Sequence, residues 1–380
     1  MENFIFRNPT EILFGRGMIA QIAGRVPKDK PILLLYGAGS IHRNGVYDQV
    51  RAALAGCKVI EFGGVEANPD YSTCMKAVRT ARDNGVGFIL AVGGGSVLDA
   101  GKFIAAAAVF DGPDPWEILT TVGANVRAML PLGAVLTLPA TGSESNGGSV
   151  ISRREMSEKL FFQSPLAFPV FSVLDPETTF SLLPRYVRNG IVDAFAHVME
   201  QYVTRPSRSP LQDHLAEAVA QTLVEVGPKT LADASDYDLR AAFVWSATLA
   251  LNTLIGCGVP HDWATHMIGH ELTAFYGLDH AETLAVVMPG VWRYKIAAKR
   301  AKLERYGRVV WGVATAEQAI EKTEVFFQSL EMPVALSHYS IDADEAAKKV
   351  EARFRERGAR YGEDGDIDGA AAAAILRSRR

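Results

Sequence analysis

The 380-residue chain is poor in cysteine: Cys57, Cys74 and Cys257 are the only three, far apart and odd in number. No CxxC pair occurs, so the sequence offers neither a disulfide framework nor a thiolate metal site. The three thiols read as reduced, small apolar fillers of a cytoplasmic protein. Long apolar runs are missing too, and none approaches the ~18–20 residues needed to span a bilayer. The opening MENFIFRNPT has no basic stretch followed by an apolar one, so no secretory leader is expected. Positive charge is not in excess. A formal net charge of −4 leaves no electrostatic footprint for nucleic acid or anionic lipid. The local cluster Lys299, Arg300, Lys302 and Arg305 is surrounded by acids and reads as a solvated helix face. Two signatures are absent as well. Neither glycine loop is G-x-G-x-x-G, because His42 and Leu98 replace the last glycine. HExxH is excluded because Met267 follows His266, so a zincin protease is not indicated.

What is present is a soluble globular composition, 48% hydrophobic and 22% charged, in a chain long enough for two domains. In the first half, short apolar runs at Pro31–Tyr36, Val59–Phe62, Phe88–Val92, Leu132–Leu138 and Val170–Leu174 predict strands. Helical patterns such as Ser72–Asn84 and Val97–Val109 lie between them. Strand, glycine loop, helix, repeated, is the pattern of an α/β domain with a mostly parallel, Rossmann-like sheet. After about Pro176 the texture becomes helical, through Val187–Val203, Pro210–Val226, Asp238–Leu254, His261–Phe275 and Val286–Ala298. The reading is an α/β domain over 1–178 and an all-α domain over 179–380.

Gly93-Gly94-Gly95-Ser96-Val97-Leu98-Asp99 sits between a strand and a helix. Open backbone N–H groups and the positive end of the helix suit a phosphate there, although a plain tight turn would look the same. Asp99 falls in the first helical turn, where the dipole favours a carboxylate. The segment from Thr137 through Thr141 and Ser143 to Asn146 is a hydroxyl-rich loop able to donate to phosphate, ribose or amide, or else an ordinary polar loop. In Gly37-Ala38-Gly39-Ser40 no acid follows the strand to bind an adenine-ribose hydroxyl. Ser40, His42 or Arg43 would instead suit a 2′-phosphate, which favours NADP(H) over NAD(H).

Five of the eight histidines fall at 197 or within 261–280. DAFAH places Asp193 and His197 four apart, and HMIGH does the same for His266 and His270; on a helix each pair shares a face. His280 follows in DH. Imidazoles with a carboxylate and no thiolate suit a transition-type divalent metal at a catalytic rather than a structural site. His261 reads as a cap-region residue, and His214 and His338 as surface residues. His270 is open between ligand, supporting group and proton relay.

These motifs resemble the iron-containing (group III) alcohol dehydrogenase family, and within it the NADPH-dependent aldehyde reductase and butanol dehydrogenase branch. The resemblance runs through ILFGRGMI, GGGSVLDAGKFIAAA, DPW at 114–116, LTLPATGSESN, VLDP, NGIVDAFAHVMEQYVT and GVPHDWATHMIGHELTAFYGLDHAETLAVVMP. It implies a two-domain enzyme of dehydroquinate synthase-like architecture that exchanges a hydride between NADP(H) and small aldehydes or primary alcohols. The family's metal ligands fall on Asp193, His197, His266 and His280, holding Fe²⁺ or Zn²⁺. Its phosphate loop falls on Gly93, Gly94, Gly95 and Ser96, and Asp99 lies near the nicotinamide end. Thr137, Thr141 and Ser143 match its cofactor loop, Lys159 a lysine near the nicotinamide ribose, and His270 a histidine lining the active site. Two departures stand out: Ala281 where many relatives have glycine after the last ligand, and Gly37 where many NAD-using relatives have aspartate. A glycerol-dehydrogenase-like polyol oxidoreductase and a non-catalytic metal- or nucleotide-binding scaffold are the rival readings. The resemblance also suggests a homodimer, with a strand near Phe4–Arg7 as its pairing edge. Trp116, Trp263, Phe161, Phe275 and Leu254 are candidates for an apolar pocket or for plain core.

Overall fold

A computed structural model describes all 380 residues. Six strands, β1 (Glu11–Phe14), β2 (Ile32–Gly37), β3 (Val59–Val65), β4 (Phe88–Gly94), β5 (Leu132–Leu138) and β8 (Phe171–Leu174), form one sheet in the order β1-β8-β5-β4-β2-β3. Every pairing in it is parallel. Parallel strands are covered on both faces, which is why they appear as continuous apolar runs. Alternate residues go to opposite sides. Leu33, Leu35, Ile89 and Ala91 enter one core layer, and Ile32, Leu34, Phe88 and Leu90 the other. A separate antiparallel hairpin, β6 (Gly148–Arg153) and β7 (Glu158–Gln163), follows β5.

The strand order reverses at β2. From there the chain steps to β3 on one side and crosses back to β4 on the other, so the C-terminal ends of β2 and β4 flank a topological switch point. In open α/β sheets that crevice is where ligands bind.

The remainder is helical, with long segments at Pro184–Tyr202, Pro210–Ala232, Tyr237–Ala250, Ala264–Tyr276, His280–Tyr294, Ile296–Tyr306, Ala316–Ser329 and Ala343–Arg357. The chain divides into two compact units. One comprises Arg7–Leu183 with Ala234–Thr248, and the other Met1–Phe6, Pro184–Asp233 and Leu249–Arg380. The Tyr237–Ala250 helix therefore contributes most of its length to the sheet-containing unit, where Val244 joins the core.

Three local readings differ from the structure. The first strand is Glu11–Phe14, and residues 4–7 form no ladder within a single chain. The run around Val286–Ala298 is divided between two helices that meet at Lys295. Lys299 and Lys302 are not solvated. Lys299 is fully buried against Asp262 (2.6 Å) and Glu363 (2.8 Å), and Lys302 is buried against Asp213. Each is paired there with carboxylates contributed by distant parts of the chain.

Candidate functional site

The helical unit carries the metal-ligating residue types. Asp193, His197 and Glu200 lie along one face of the Pro184–Tyr202 helix, and His266 and His270 along one face of the Ala264–Tyr276 helix. His280 opens the His280–Tyr294 helix, whose first turn is fixed by the Asp279 N–H donating to Glu282 (2.9 Å). The last two helices approach closely at Gly269, where a Cβ would lie 2.6 Å from Thr283 Oγ1. That glycine lets the imidazoles of both helices reach one point.

They reach Asp193. Its Oδ1 is 3.7 Å from His197 Nε2, 3.8 Å from His266 Nε2 and 3.7 Å from His280 Nε2. These separations are too long for hydrogen bonds. They fit the edges of a ligand polyhedron, since tetrahedral donors at ~2.1 Å from a centre stand roughly 3.4 Å apart. The donor atoms of Asp193, His266 and His280 all lie within 4.8 Å of one another, and His197 joins them through Asp193. His266 Nε2 is buried without a hydrogen-bond partner. Burying such an atom costs about 1–3 kcal/mol, which a coordinated cation would offset. The residues present therefore fit a divalent transition metal with nitrogen and oxygen ligands.

Glu200, which sequence reasoning did not single out, is the support of this set. It is 3% exposed, and its carboxylate accepts the N–H of Thr265 (2.7 Å) and of His266 (3.2 Å) and contacts His266 Nδ1. A carboxylate on Nδ1 fixes the ring so that Nε2 faces the metal position. Burial works against charge on His266, but Glu200 and Asp193 outweigh it and hold the imidazole pKa up at about 9. The signal was available in the sequence, because Glu200 follows His197 by three and Asp193 by seven.

His270 is buried and stands beside the set rather than in it. Its ring centroid is 5.3 Å from that of His280 and 6.5 Å from that of His266. His214 and His338 are exposed.

In the sheet-containing unit, the two glycine loops sit at the ends of β2 and β4, at the switch point. The Gly95–Ala107 helix begins with no side-chain cap, which leaves its first N–H groups to a ligand. Side chains are excluded from this loop by packing. A Cβ on Gly93 would be 2.5 Å from Val97, on Gly94 2.8 Å from Leu138, and on Gly95 2.6 Å from Thr141. The last contact brings the hydroxyl-rich loop onto the glycine loop. Ser143 donates to Asp99 Oδ1 (2.7 Å), and the Val150 N–H donates to Asp99 Oδ2 (2.9 Å). Asp99 is thus 8% exposed and joins the helix to the loop and the hairpin, with its pKa raised by burial.

Lys102, also outside the sequence candidates, is fully buried and donates to Asn146 O (2.9 Å), Asn146 Oδ1 (3.1 Å) and Gly148 O (2.8 Å). Burial lowers its pKa to about 8 against the attraction of Asp99 and Glu144. Thr137 is buried and Thr141 half-buried. Lys159, on β7, donates to Asn68 Oδ1 (2.9 Å), and the Asn68 N–H donates to Ser96 Oγ (3.3 Å). Asn68 therefore links the lysine to the Gly93–Ser96 loop, a role with no sequence signal of its own.

At the end of β2, Gly37 and Gly39 are half-buried and Ser40 is exposed. A Cβ on Gly37 would lie 3.3 Å from Val65 O. The neighbouring strand carries Glu61, whose oxygens already accept from the hydroxyls of Tyr36 (3.3 Å) and Tyr47 (2.8 Å).

Comparison with known proteins agrees with both halves. Residues 9–176 match the model of the iron-containing alcohol dehydrogenase family, and residues 188–362 match that of the Fe-containing alcohol dehydrogenase family, C-terminal. The chain is 51% identical to the Escherichia coli NADPH-dependent aldehyde reductase YqhD, over 97% of each chain. It superposes on the crystal structure of that protein with a TM-score of 0.97, at 49% identity over 100% of this chain and 99% of the other. NADP-dependent alcohol dehydrogenase 3 of Entamoeba histolytica is 41% identical over 91% of each chain. The structure of NADH-dependent butanol dehydrogenase A from Thermotoga maritima matches with a TM-score of 0.94, at 34% identity, covering 100% of this chain and 99% of that one. The chain belongs to the iron-containing alcohol dehydrogenase family, metal-dependent oxidoreductases acting on alcohols and aldehydes.

Proposed function

We propose that the protein is an NADP(H)-dependent aldehyde reductase in which Asp193, His197, His266 and His280 hold one Fe²⁺ or Zn²⁺ ion. The observation that carries the proposal is the convergence of three imidazole Nε2 atoms on Asp193 Oδ1 at 3.7–3.8 Å. When bound, the metal supplies Lewis-acid polarisation of a carbonyl oxygen, and the nicotinamide supplies the hydride.

The chain's own residues do the rest. The N–H groups opening the Gly95–Ala107 helix bind the cofactor phosphates, and Thr137, Thr141, Ser143 and Lys159 orient the ribose and amide end. Gly93 and Gly94 let the cofactor approach the backbone. Asp99 and Lys102 hold those loops in register through the bonds described above. At the adenosine end, Gly37, Gly39 and Ser40 leave room and a hydroxyl for a 2′-phosphate. The acid nearest by strand order, Glu61, is already engaged by two tyrosines. This supports NADP(H) over NAD(H), as do the printed names of the E. coli and E. histolytica relatives. His270 is assigned the delivery of a proton to the alkoxide oxygen, from beside His280. His270→Ala should lower kcat about 10²-fold with a changed pH profile. Unchanged kcat at every pH would remove it from that role.

The free state of all three cysteines suits a reducing, cytoplasmic setting. No helix is long and apolar enough to cross a membrane. A homodimer is proposed for the assembly, with Phe4, Ile5 and Phe6 exposing apolar surface near the N-terminus. Light scattering would give twice the chain mass. The function is tested by following NADPH oxidation with butanal, and separately NADH oxidation. A kcat/KM that clearly favours NADH would overturn the cofactor assignment, and absence of turnover with either would overturn the activity.

A further inference from the structure

Trp263 has a left-handed backbone, φ 59° and ψ 3°, directly before the Ala264–Tyr276 helix. A bulky side chain rarely adopts that region, and such outliers persist only where the surroundings over-determine them. The surroundings do so here. On one side of Trp263, Asp262 is buried, donates its N–H to Glu200 O (2.9 Å) and accepts the Ala264 N–H at Oδ1 (2.9 Å). The Trp263 side chain is held by His261, whose Nδ1 is 3.3 Å from the indole Nε1. An indole N–H only donates, so His261 Nδ1 accepts and the ring proton sits on Nε2. From there it reaches Gly256 O at 2.9 Å. Gly256 has no room for a side chain, since a Cβ would lie 2.6 Å from His261 Nε2 and 2.6 Å from Gln201 Oε1.

The indole so held meets the metal ligands edge-on. Its centroid is 5.4 Å from the His266 ring at 74° and 6.3 Å from the His197 ring at 61°. His270 packs instead against His280. Trp263 and His261 are only half-buried, whereas Asp262 and Ala264 on either side of Trp263 are buried. The indole is thus half-buried while it touches His197 and His266, the two ligands it lies beside.

Resting on the aldehyde-reductase reading above, we propose that Trp263 is a specificity-determining residue, its indole forming the apolar wall for the substrate chain, and that His261 positions it. The substrate class is then aldehydes with an extended alkyl chain or an aromatic ring rather than small polyols. Shorter substrates leave the wall bare and lose its contact.

The test uses the purified full chain. In the metal-loaded enzyme, kcat/KM is measured with NADPH for acetaldehyde, butanal, octanal and benzaldehyde, in wild type, Trp263→Ala, His261→Phe and His261→Gln. The octanal-to-acetaldehyde ratio should fall about tenfold in Trp263→Ala, through KM, and fall in the same direction in His261→Phe. His261→Gln, which keeps an acceptor and a donor, should recover most of it. In parallel, Co²⁺ is titrated into metal-free protein while tryptophan emission is followed. Wild type should quench, and Trp263→Phe should lose most of that quench while binding Co²⁺ with unchanged affinity. An unaltered chain-length ratio in Trp263→Ala, or an undiminished quench in Trp263→Phe, overturns the proposal. If wild type reduces no aldehyde, the functional reading fails by itself, and the quench still reports where Trp263 lies.

Discussion

Replacing Glu200 by glutamine should weaken the metal site without touching a ligand. The carboxylate accepts two backbone N–H groups of the Ala264–Tyr276 helix and pairs with His266 Nδ1. Glutamine keeps one acceptor oxygen, but it places an amide donor against N–H groups and removes the charge that makes His266 a better donor to metal. Loss of such a supporting carboxylate typically lowers metal affinity 10- to 100-fold, about 1.4–2.7 kcal/mol. The pH dependence should change as well. In the metal-free protein His266 is held at about 9, above the ordinary imidazole value of 6.5, against the effect of burial. Its contribution to stability is then present in full below 6.5 and is lost as pH rises through about 9. Metal displaces that proton, so metal affinity should climb with pH over the same window. The gap in Tm between metal-loaded and metal-free protein should widen from pH 6.5 to 9 in wild type, and level off at lower pH in Glu200→Gln. The assay is competition with a chromophoric chelator across pH, with Tm read alongside. Affinity within twofold of wild type at every pH would refute the supporting role.

Other expectations concern the cofactor loops and the ligand set. Gly94→Ala places a methyl 2.8 Å from Leu138 Cβ, so KM for NADPH should rise about tenfold while metal content stays unchanged. Lys102→Met removes three bonds to the Asn146–Gly148 segment and should raise the same KM. Because burial lowers the folded pKa of Lys102 from 10.5 to about 8, the unfolded chain binds more protons between those values. Wild type should therefore gain stability relative to Lys102→Met as pH rises through that window, measured as a difference in Tm. His266→Ala should lose metal and activity together, checked by metal analysis beside the rate. An active, metal-free variant would exclude ligation.

The inner strands were legible because parallel strands buried on both faces cannot alternate in polarity. Leu33 to Leu35 and Ile89 to Val92 are apolar without interruption for that reason. The edge strand Glu11–Phe14 and the β6–β7 hairpin mix polar and apolar residues, so no apolar run marked them. The histidine spacing pointed to the convergence on Asp193 because two ligand types at i and i+4 need only one helix to define a face. Glu200 obeys the same spacing, but acids on helices are common. What distinguishes it is a pair of N–H groups offered by another helix, which no local pattern contains. Lys299 and Lys302 were misread for the converse reason: the acids that allow them to be buried lie at 262, 363 and 213.

On the proposed reading, NADPH-dependent aldehyde reduction requires one divalent metal on Asp193, His197, His266 and His280. That requirement is tested most directly by stripping purified protein with a chelator, measuring NADPH oxidation with butanal, and restoring Fe²⁺ or Zn²⁺ in separate samples. Activity should vanish with the metal and return at one equivalent per chain of one of the two ions. Undiminished turnover by protein shown to be metal-free would contradict it.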